Sequence, residues 1–249
     1  MGGTTGIGLS AAKAFVAEGA QVVVVGRNED NVRGARTALG KSARTLVGDA
    51  TDPKTAPQAI QTALKTFGGF HGFYHVAGGS GRKKGDGPLH AITNEGWEFT
   101  LNLNLTSLFY SNRAAARQFL QQETGGSILN MSSVLAFSPS PRHFGTHAYA
   151  ATKAAIIGLT QSGAAHYAKQ NIRFNVLAPA LVATPMSTRA QSDEEILQFI
   201  ATKQPLDGGR IGRPDDLDGA AVYFMSDESK FVTGQVLAID GGWCVSEGH

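Results

Sequence analysis

Short apolar runs alternating with helical periodicity constrain this chain more than any single motif. Residues 21–25 form a continuous apolar run, residues 29–39 repeat at helical spacing, a second apolar run ends at Leu46-Val47-Gly48-Asp49, and a helix follows to about Phe67. Strands that are apolar on both faces must be covered on both faces, which requires a parallel sheet between two helical layers. The pattern continues with a strand from near Phe73, a helix from Trp97, a strand over 127–131, a helix ending near Gln170, a strand over 172–177, a helix over 215–225 and an edge strand over 235–239. The fold class is therefore α/β, a doubly wound Rossmann-like parallel sheet in three layers (α/β/α). With 249 residues and no Pro/Ser-rich linker, it reads as one domain over 1–249.

Composition matters mainly for what it excludes. A formal net charge of +2 leaves no basic stripe for nucleic acid, and no apolar run reaches membrane-spanning length. Cys244 is the sole cysteine, so no intramolecular disulfide can form, and the first residues lack the charged and apolar regions of a signal peptide. A soluble protein in the reducing cytoplasm is expected.

Two stretches carry chemistry. The first is Gly2-Gly3-Thr4-Thr5-Gly6-Ile7-Gly8, a glycine-rich turn opening an amphipathic run over 9–19 with Leu9, Ala12, Phe15 and Val16 on one face. Backbone N–H groups at such a helix start can receive a pyrophosphate, although a tight turn with a close helix crossing uses the same glycines. The second is Tyr149-Ala150-Ala151-Thr152-Lys153. On a helix these side chains share one face a turn apart, and an ammonium beside a phenol favours the phenolate, moving a group that ordinarily titrates near about 10 towards neutrality. By itself the spacing is common on solvated helices. Neither a Gly-x-Ser-x-Gly elbow around Ser133 nor metal-ligand spacing among the histidines accompanies it, which disfavours a serine hydrolase or a metalloenzyme.

Taken together, the glycine turn, Asp49, His75-Val76-Ala77-Gly78, Asn104, Ser133, Tyr149 to Lys153, Pro179 to Thr184 and Asp240-Gly241-Gly242 resemble the short-chain dehydrogenase/reductase family in order and spacing across essentially the whole chain. The resemblance implies an NAD(P)-dependent oxidoreductase that moves hydride between a nicotinamide and an alcohol/ketone substrate. It implies that Tyr149 exchanges the proton, Lys153 stabilises the phenolate and holds the nicotinamide ribose, Ser133 polarises the carbonyl, and Asn104 kinks its helix and holds a relay water. Cofactor contacts are implied at Gly2, Thr5, Gly6, Ile7, Gly8, Arg27, Asp49, Ala50, Ala77, Gly78, Tyr149, Lys153, Pro179, Val182 and Thr184. A homotetramer or homodimer is implied through the helices bearing Asn104 and Tyr149 and through the C-terminal segment.

Four departures qualify this. Where NAD-binding folds place an acid to hold the ribose diol, this chain has Gly26 followed by Arg27, which favours a 2′-phosphate, hence NADP(H), with NAD(H) possible. Asp49 can accept from the adenine amine or cap the turn that follows it. His75-Val76 replaces the family's asparagine pair, and Ala180 replaces a glycine. Only Met1 precedes the glycine turn, where the family has a central apolar strand. Either the natural product has more N-terminal residues, or the chain folds without that strand and draws its neighbours together. The missing strand and lost asparagines favour one rival, a scaffold without turnover; another is a cofactor-independent lyase or dehalogenase, against which the complete Ser133, Tyr149 and Lys153 set argues.

The pocket itself is expected between the 79–88 and 134–146 loops and a lid near 187–204. Arg82, Lys83 and Lys84 could grip an anion, although their glycine-rich loop favours a solvated reading. Arg142, His143 and His147 are candidate substrate contacts, although an exposed surface loop is the favoured reading there too.

Overall fold

The structure, a computed structural model, describes residues 1–248. Helix α1 (Gly6–Ala17) leads into β1 (Val22–Gly26), α2 (Glu29–Leu39), β2 (Ala43–Val47), α3 (Thr55–Phe67) and β3 (Gly72–His75). Then come α4 (Asn94–Leu101), a π-helical turn (Asn102–Thr106), α5 (Ser107–Gln122), β4 (Gly126–Met131), α6 (His147–Tyr167) and β5 (Ile172–Pro179). The chain finishes with α7 (Thr188–Gln191), α8 (Glu194–Lys203), α9 (Asp218–Met225) and β6 (Val236–Ile239). All strand pairs are parallel, in two sheets ordered β1-β2 and β3-β4-β5-β6. Helices α3, α5 and α6 cover one face, and α1, α2 and α9 the other.

The sheets meet at the first residues of the chain. Val76 and Ala77 donate their N–H groups to Met1 O, the Met1 nitrogen donates to Tyr74 O, and the Gly2 and Gly3 N–H groups donate to Val25 O. One extended residue thus stands between β1 and β3, and the Met1 side chain is buried beside Val25 and Phe73. The two strands are not drawn together into one ladder, which corrects the second of the two readings of the missing strand. What keeps the glycine turn in place is this short backbone clamp.

Local chemistry explains most boundaries. The Asn28 side chain accepts from Asn31 N–H to start α2, and Thr93 Oγ1 accepts from Gly96 N–H, so α4 begins at Asn94 rather than Trp97. The amphipathic run over 9–19 begins three residues earlier, because Gly6 and Ile7 are already helical. Ala180 is absent from the positive-φ residues, so its Cβ is accommodated without strain. No helix among the described residues is long and apolar enough to cross a membrane.

Candidate active site

A cleft of about 770 Å³ opens at the C-terminal ends of the strands and is lined by Gly2, Thr5, Gly6 and Ile7 of the glycine turn and by Arg27, Asp49, Ala77, Gly78, Ser133, Tyr149, Lys153 and Val182, whereas Gly8 and Asn104, expected at the site, stand behind its wall. Strand ends are where parallel α/β sheets place their ligands. At one end the turn before α1 folds tightly. A Cβ at Gly8 would lie 2.1 Å from Gly2 O, and one at Gly2, where φ is +75°, would lie 2.7 Å from Ala77 N. Thr5, the residue before α1, makes no side-chain cap bond, so the helix start offers its N–H groups to the cleft beside Thr5, Gly6 and Ile7. These features fit a dinucleotide, whose pyrophosphate such a helix start receives.

Beside that turn, Gly26 accepts no side chain: a Cβ there would stand 2.1 Å from Thr4 Oγ1 and 2.9 Å from Thr4 Cβ. Arg27 extends over the cleft with its Nη1 3.8 Å from Asp49 Oδ2, both side chains being well exposed. Asp49 Oδ1 accepts from both the N–H and the hydroxyl of Thr51, so one oxygen caps the local turn while the other faces Arg27. Ala50 lies next to it on the cleft wall.

The reacting set gathers at the other end. Ser133 follows β4, its Oγ accepting from Leu135 N–H at 3.2 Å and donating to Pro179 O at 3.4 Å. Lys153 is buried in α6, donates from Nζ to Met131 O at 2.9 Å, and stands 5.4 Å from the centre of the Tyr149 ring. Burial pushes the Tyr149 phenol up to about 12, with the Ser133 hydroxyl pulling it the other way. The expected shift of this phenol towards neutrality beside the Lys153 ammonium is corrected: burial raises it instead. Burial also lowers the Lys153 ammonium to about 8. Its charge is present below that pH and lost above it. Carbonyl reduction that relies on the ammonium to stabilise a phenolate is therefore expected to decline as pH rises through about 8, which a pH–rate profile reads directly.

Asn104 occupies the π-helical turn, where the helix was expected to kink. Its Oδ1 accepts from Gly79 N–H, and its Nδ2 donates to Gly79 O and Thr100 O. Both amide N–H groups and one oxygen lone pair are engaged by backbone, so the side chain holds the Gly78–Gly79 loop. Thr184 pairs with Ser187 as a capping box and lays its Cγ2 3.2 Å from where a Gly6 Cβ would be, joining the far wall to the glycine turn. Val182 is buried and bridges to Gly212.

Residues 2–244 match a family model described as enoyl-(acyl carrier protein) reductase. Gluconate 5-dehydrogenase of Gluconobacter oxydans is 34% identical over 98% of this chain and 93% of its own length. The NADP-dependent (R)-specific alcohol dehydrogenase of Lentilactobacillus kefiri is 34% identical over 97% of this chain and 94% of its own. A short-chain type dehydrogenase/reductase from Mycobacterium ulcerans superposes with a TM-score of 0.90 at 33% identity, covering 99% of this chain and 89% of that one. This chain belongs to the short-chain dehydrogenase/reductase family. As a member it is an NAD(P)-dependent oxidoreductase acting on a CH–OH or C=O group.

Three features of this dehydrogenase/reductase were beyond reading by spacing. His75 replaces the family's asparagine yet makes the bonds another way: its Nε2 donates to Ala77 O at 3.0 Å, so its Nδ1 accepts from the Ser111 hydroxyl at 3.0 Å. Burial holds its pKa well below 6.5, keeping the ring neutral for that role. The loss of hydrogen bonds that favoured a scaffold is thus made good. Asn130 of β4 and Asn112 of α5 exchange two amide bonds of 2.8 Å, and Asn130 also donates to Thr160 of α6, tying the sheet to both helices.

Asp86 is the third. Buried in the loop after β3, it accepts from Ala148 N–H and Tyr149 N–H, each at 3.0 Å, and so caps α6 from outside where Thr146 provides no side-chain cap. His147 N–H donates to Gly87 O, and His147 Nδ1 accepts from Leu89 N–H, fastening the same loop to the same turn. Charged acceptors on helix N–H groups contribute about 1.5–3 kcal/mol. Asp86→Ala is expected to destabilise the fold by about 2 kcal/mol and lower turnover roughly tenfold, with Asp86→Asn falling between; chemical denaturation and kcat measured together check this.

The expected substrate contacts on the 134–146 loop lie elsewhere. Arg142 pairs with Glu195, the His143 ring packs against Phe199 at 4.8 Å, and His147 is held as above; none lines the cleft. The basic loop does better, because Arg82 and Lys83 both line it, while Lys84 lies over the Phe99 ring. Within 187–204, α8 buries Ile196 and Ile200 against Trp243, and the cleft is met by Ser187, Arg189 and Ala190.

Proposed function

We propose that this short-chain dehydrogenase/reductase prefers NADP(H), with NAD(H) as a weaker alternative, and interconverts a small alcohol and its ketone. The observation that carries the reading is the convergence of Ser133, Tyr149 and Lys153 on one cleft that continues to an uncapped helix start. A bound nicotinamide would supply or take up the hydride. In reduction the Ser133 hydroxyl donates to the carbonyl oxygen and orients it, and the Tyr149 O–H delivers the proton that oxygen needs as negative charge develops on it. The Lys153 ammonium stabilises the phenolate left behind. Oxidation reverses each step, with the phenolate taking the alcohol proton.

The cofactor preference rests on charge at the ribose end. Gly26 excludes any acid that would repel a phosphate, and Arg27 extends from the adjoining position. Arg27→Ala is expected to weaken NADPH binding about tenfold and to leave NADH within twofold, by fluorescence titration. Equal losses of both would remove the phosphate argument. Thr5, Gly6, Ile7, Asp49, Ala50, Ala77, Gly78, Pro179, Val182 and Thr184 complete the proposed cradle, all on the cleft wall.

A homodimer or homotetramer is part of the same reading. Exposed Trp97 on α4, Phe109 on α5 and Leu159 on α6 support burial of those helices against a second copy, and Leu237 on the free edge β6 supports a further contact. A cytoplasmic location accords with the lone, exposed Cys244. The lid over the substrate is proposed to be the part of 187–204 that meets the cleft, at Ser187, Arg189 and Ala190.

A further inference from the structure

We propose that the substrate carries a carboxylate, received at the mouth of the cleft by Arg82 and Arg189, and that this pair makes the enzyme selective for hydroxy or keto acids over neutral alcohols and ketones. The proposal rests on the hydride-transfer reading and specifies its substrate class.

The charges around the cleft are unevenly shared. Among the described residues that line it, Asp49 is the only acid, and it lies at the Arg27 end. The rest of the lining holds Arg82, Lys83 and Arg189 together with Ser133 and Tyr149, and no further carboxylate. Both arginines come from segments anchored to the reacting residues. Arg82 sits on the loop whose Asp86 caps Tyr149's helix, and Arg189 Nη2 donates to His143 O on the loop that follows Ser133.

Among the described residues, Arg82 has no ion pair within 4.0 Å. The nearby Asp86 is already committed to two backbone N–H groups. Arg82 and Arg189 line the same cleft, and burial first, then the Arg189 charge, lowers the Arg82 pKa. Besides its bond to His143 O, Arg189 has a 3.7 Å ion pair with the exposed Asp193, and Glu195 at the start of α8 is taken by Arg142. Two like charges on separate segments of one cleft repel, so an anion between them favours their approach. A planar carboxylate matches the guanidinium fork, and two such forks fix the orientation of the molecule relative to Tyr149.

The test pairs each of several five- and six-carbon hydroxy acids with its neutral alcohol, D-gluconate against D-glucitol among them. Binding to the protein with NADP⁺ is read by calorimetry and NADPH formation by absorbance. At least one acid is expected to bind tenfold or more tighter than its neutral partner, and the Arg82→Gln/Arg189→Gln double variant to erase that ratio while changing NADPH affinity less than twofold. No distinction between acid and alcohol in any pair overturns the proposal, as does a parallel loss of NADPH affinity in the variant, which would assign the arginines to the cofactor. A sugar phosphate bound in preference to every acid would show that a phosphate fills the site and likewise overturn it. Acid selectivity in binding with no hydride transfer to or from any member would leave the anion site standing and sink the hydride reading.

Discussion

Replacing Tyr149 with phenylalanine is expected to lower turnover about a thousandfold while leaving NADPH affinity and thermal stability nearly unchanged. General acid–base catalysis by a positioned side chain contributes roughly 10²–10⁴ in rate, and Tyr149 is the group placed to provide it here. Its phenol is neutral across the physiological range, with burial holding it near 12, so it enters carbonyl reduction already carrying the proton. Phenylalanine keeps the ring against Lys153, loses only the hydroxyl, and should disturb neither the cap from Asp86 nor the bond from Lys153 to Met131 O. Turnover within a factor of three of the parent would show that the proton travels by another route. A parallel collapse of NADPH affinity would assign the phenol to binding.

The second large effect is expected at the glycine turn. Alanine at position 8 gains about 1 kcal/mol of helix propensity over glycine, yet its Cβ would stand 2.1 Å from Gly2 O and 3.0 Å from Gly3 Cα. The colliding atoms are backbone and cannot rotate away. The turn must shift, and Gly2 is fixed on both sides by Val25 O and, through Met1, by Val76 and Ala77. Overpacking typically costs about 1–3 kcal/mol, so the net change in stability is modest, about 1 kcal/mol lost. The functional effect is much larger, because an ångström of displacement at a positioning site can cost about a hundredfold. Gly8→Ala should therefore raise the Kd for NADPH about a hundredfold in a protein that still folds. Unchanged affinity would mean that this turn does not hold the cofactor.

Repeating local signals made much of the molecule legible in the sequence. Helix α2 was readable to its ends because Asn28, Glu29 and Asp30 form a strong start and Gly40 a stop. The buried strands were readable because few polar residues interrupt them. The site residues on the strand ends and on α6 follow from motif spacing, and most come together in one cleft. Contacts between distant segments were not legible. Asp86 lies among glycines and lysines, and nothing near it in sequence indicates a carboxylate capping a helix 62 residues away. His75 looked like the loss of an asparagine because its partner Ser111 is 36 residues on. Arg142, His143 and His147 have the chemistry of substrate contacts, but the surface reading weighed beside it holds, because Glu195, Phe199 and Leu89 engage them.

The most direct measurement is the fate of the nicotinamide hydrogen. The protein is incubated with NADPH deuterated at C4, separately on each face of the ring, and with ketones that include keto acids; the alcohol formed is analysed by mass spectrometry. The account predicts deuterium on the new carbinol carbon from one face only, and a thousandfold slower incorporation with Tyr149→Phe. NADPH that binds in the cleft but delivers no deuterium to any carbonyl, or delivers it equally well without the Tyr149 hydroxyl, would contradict it.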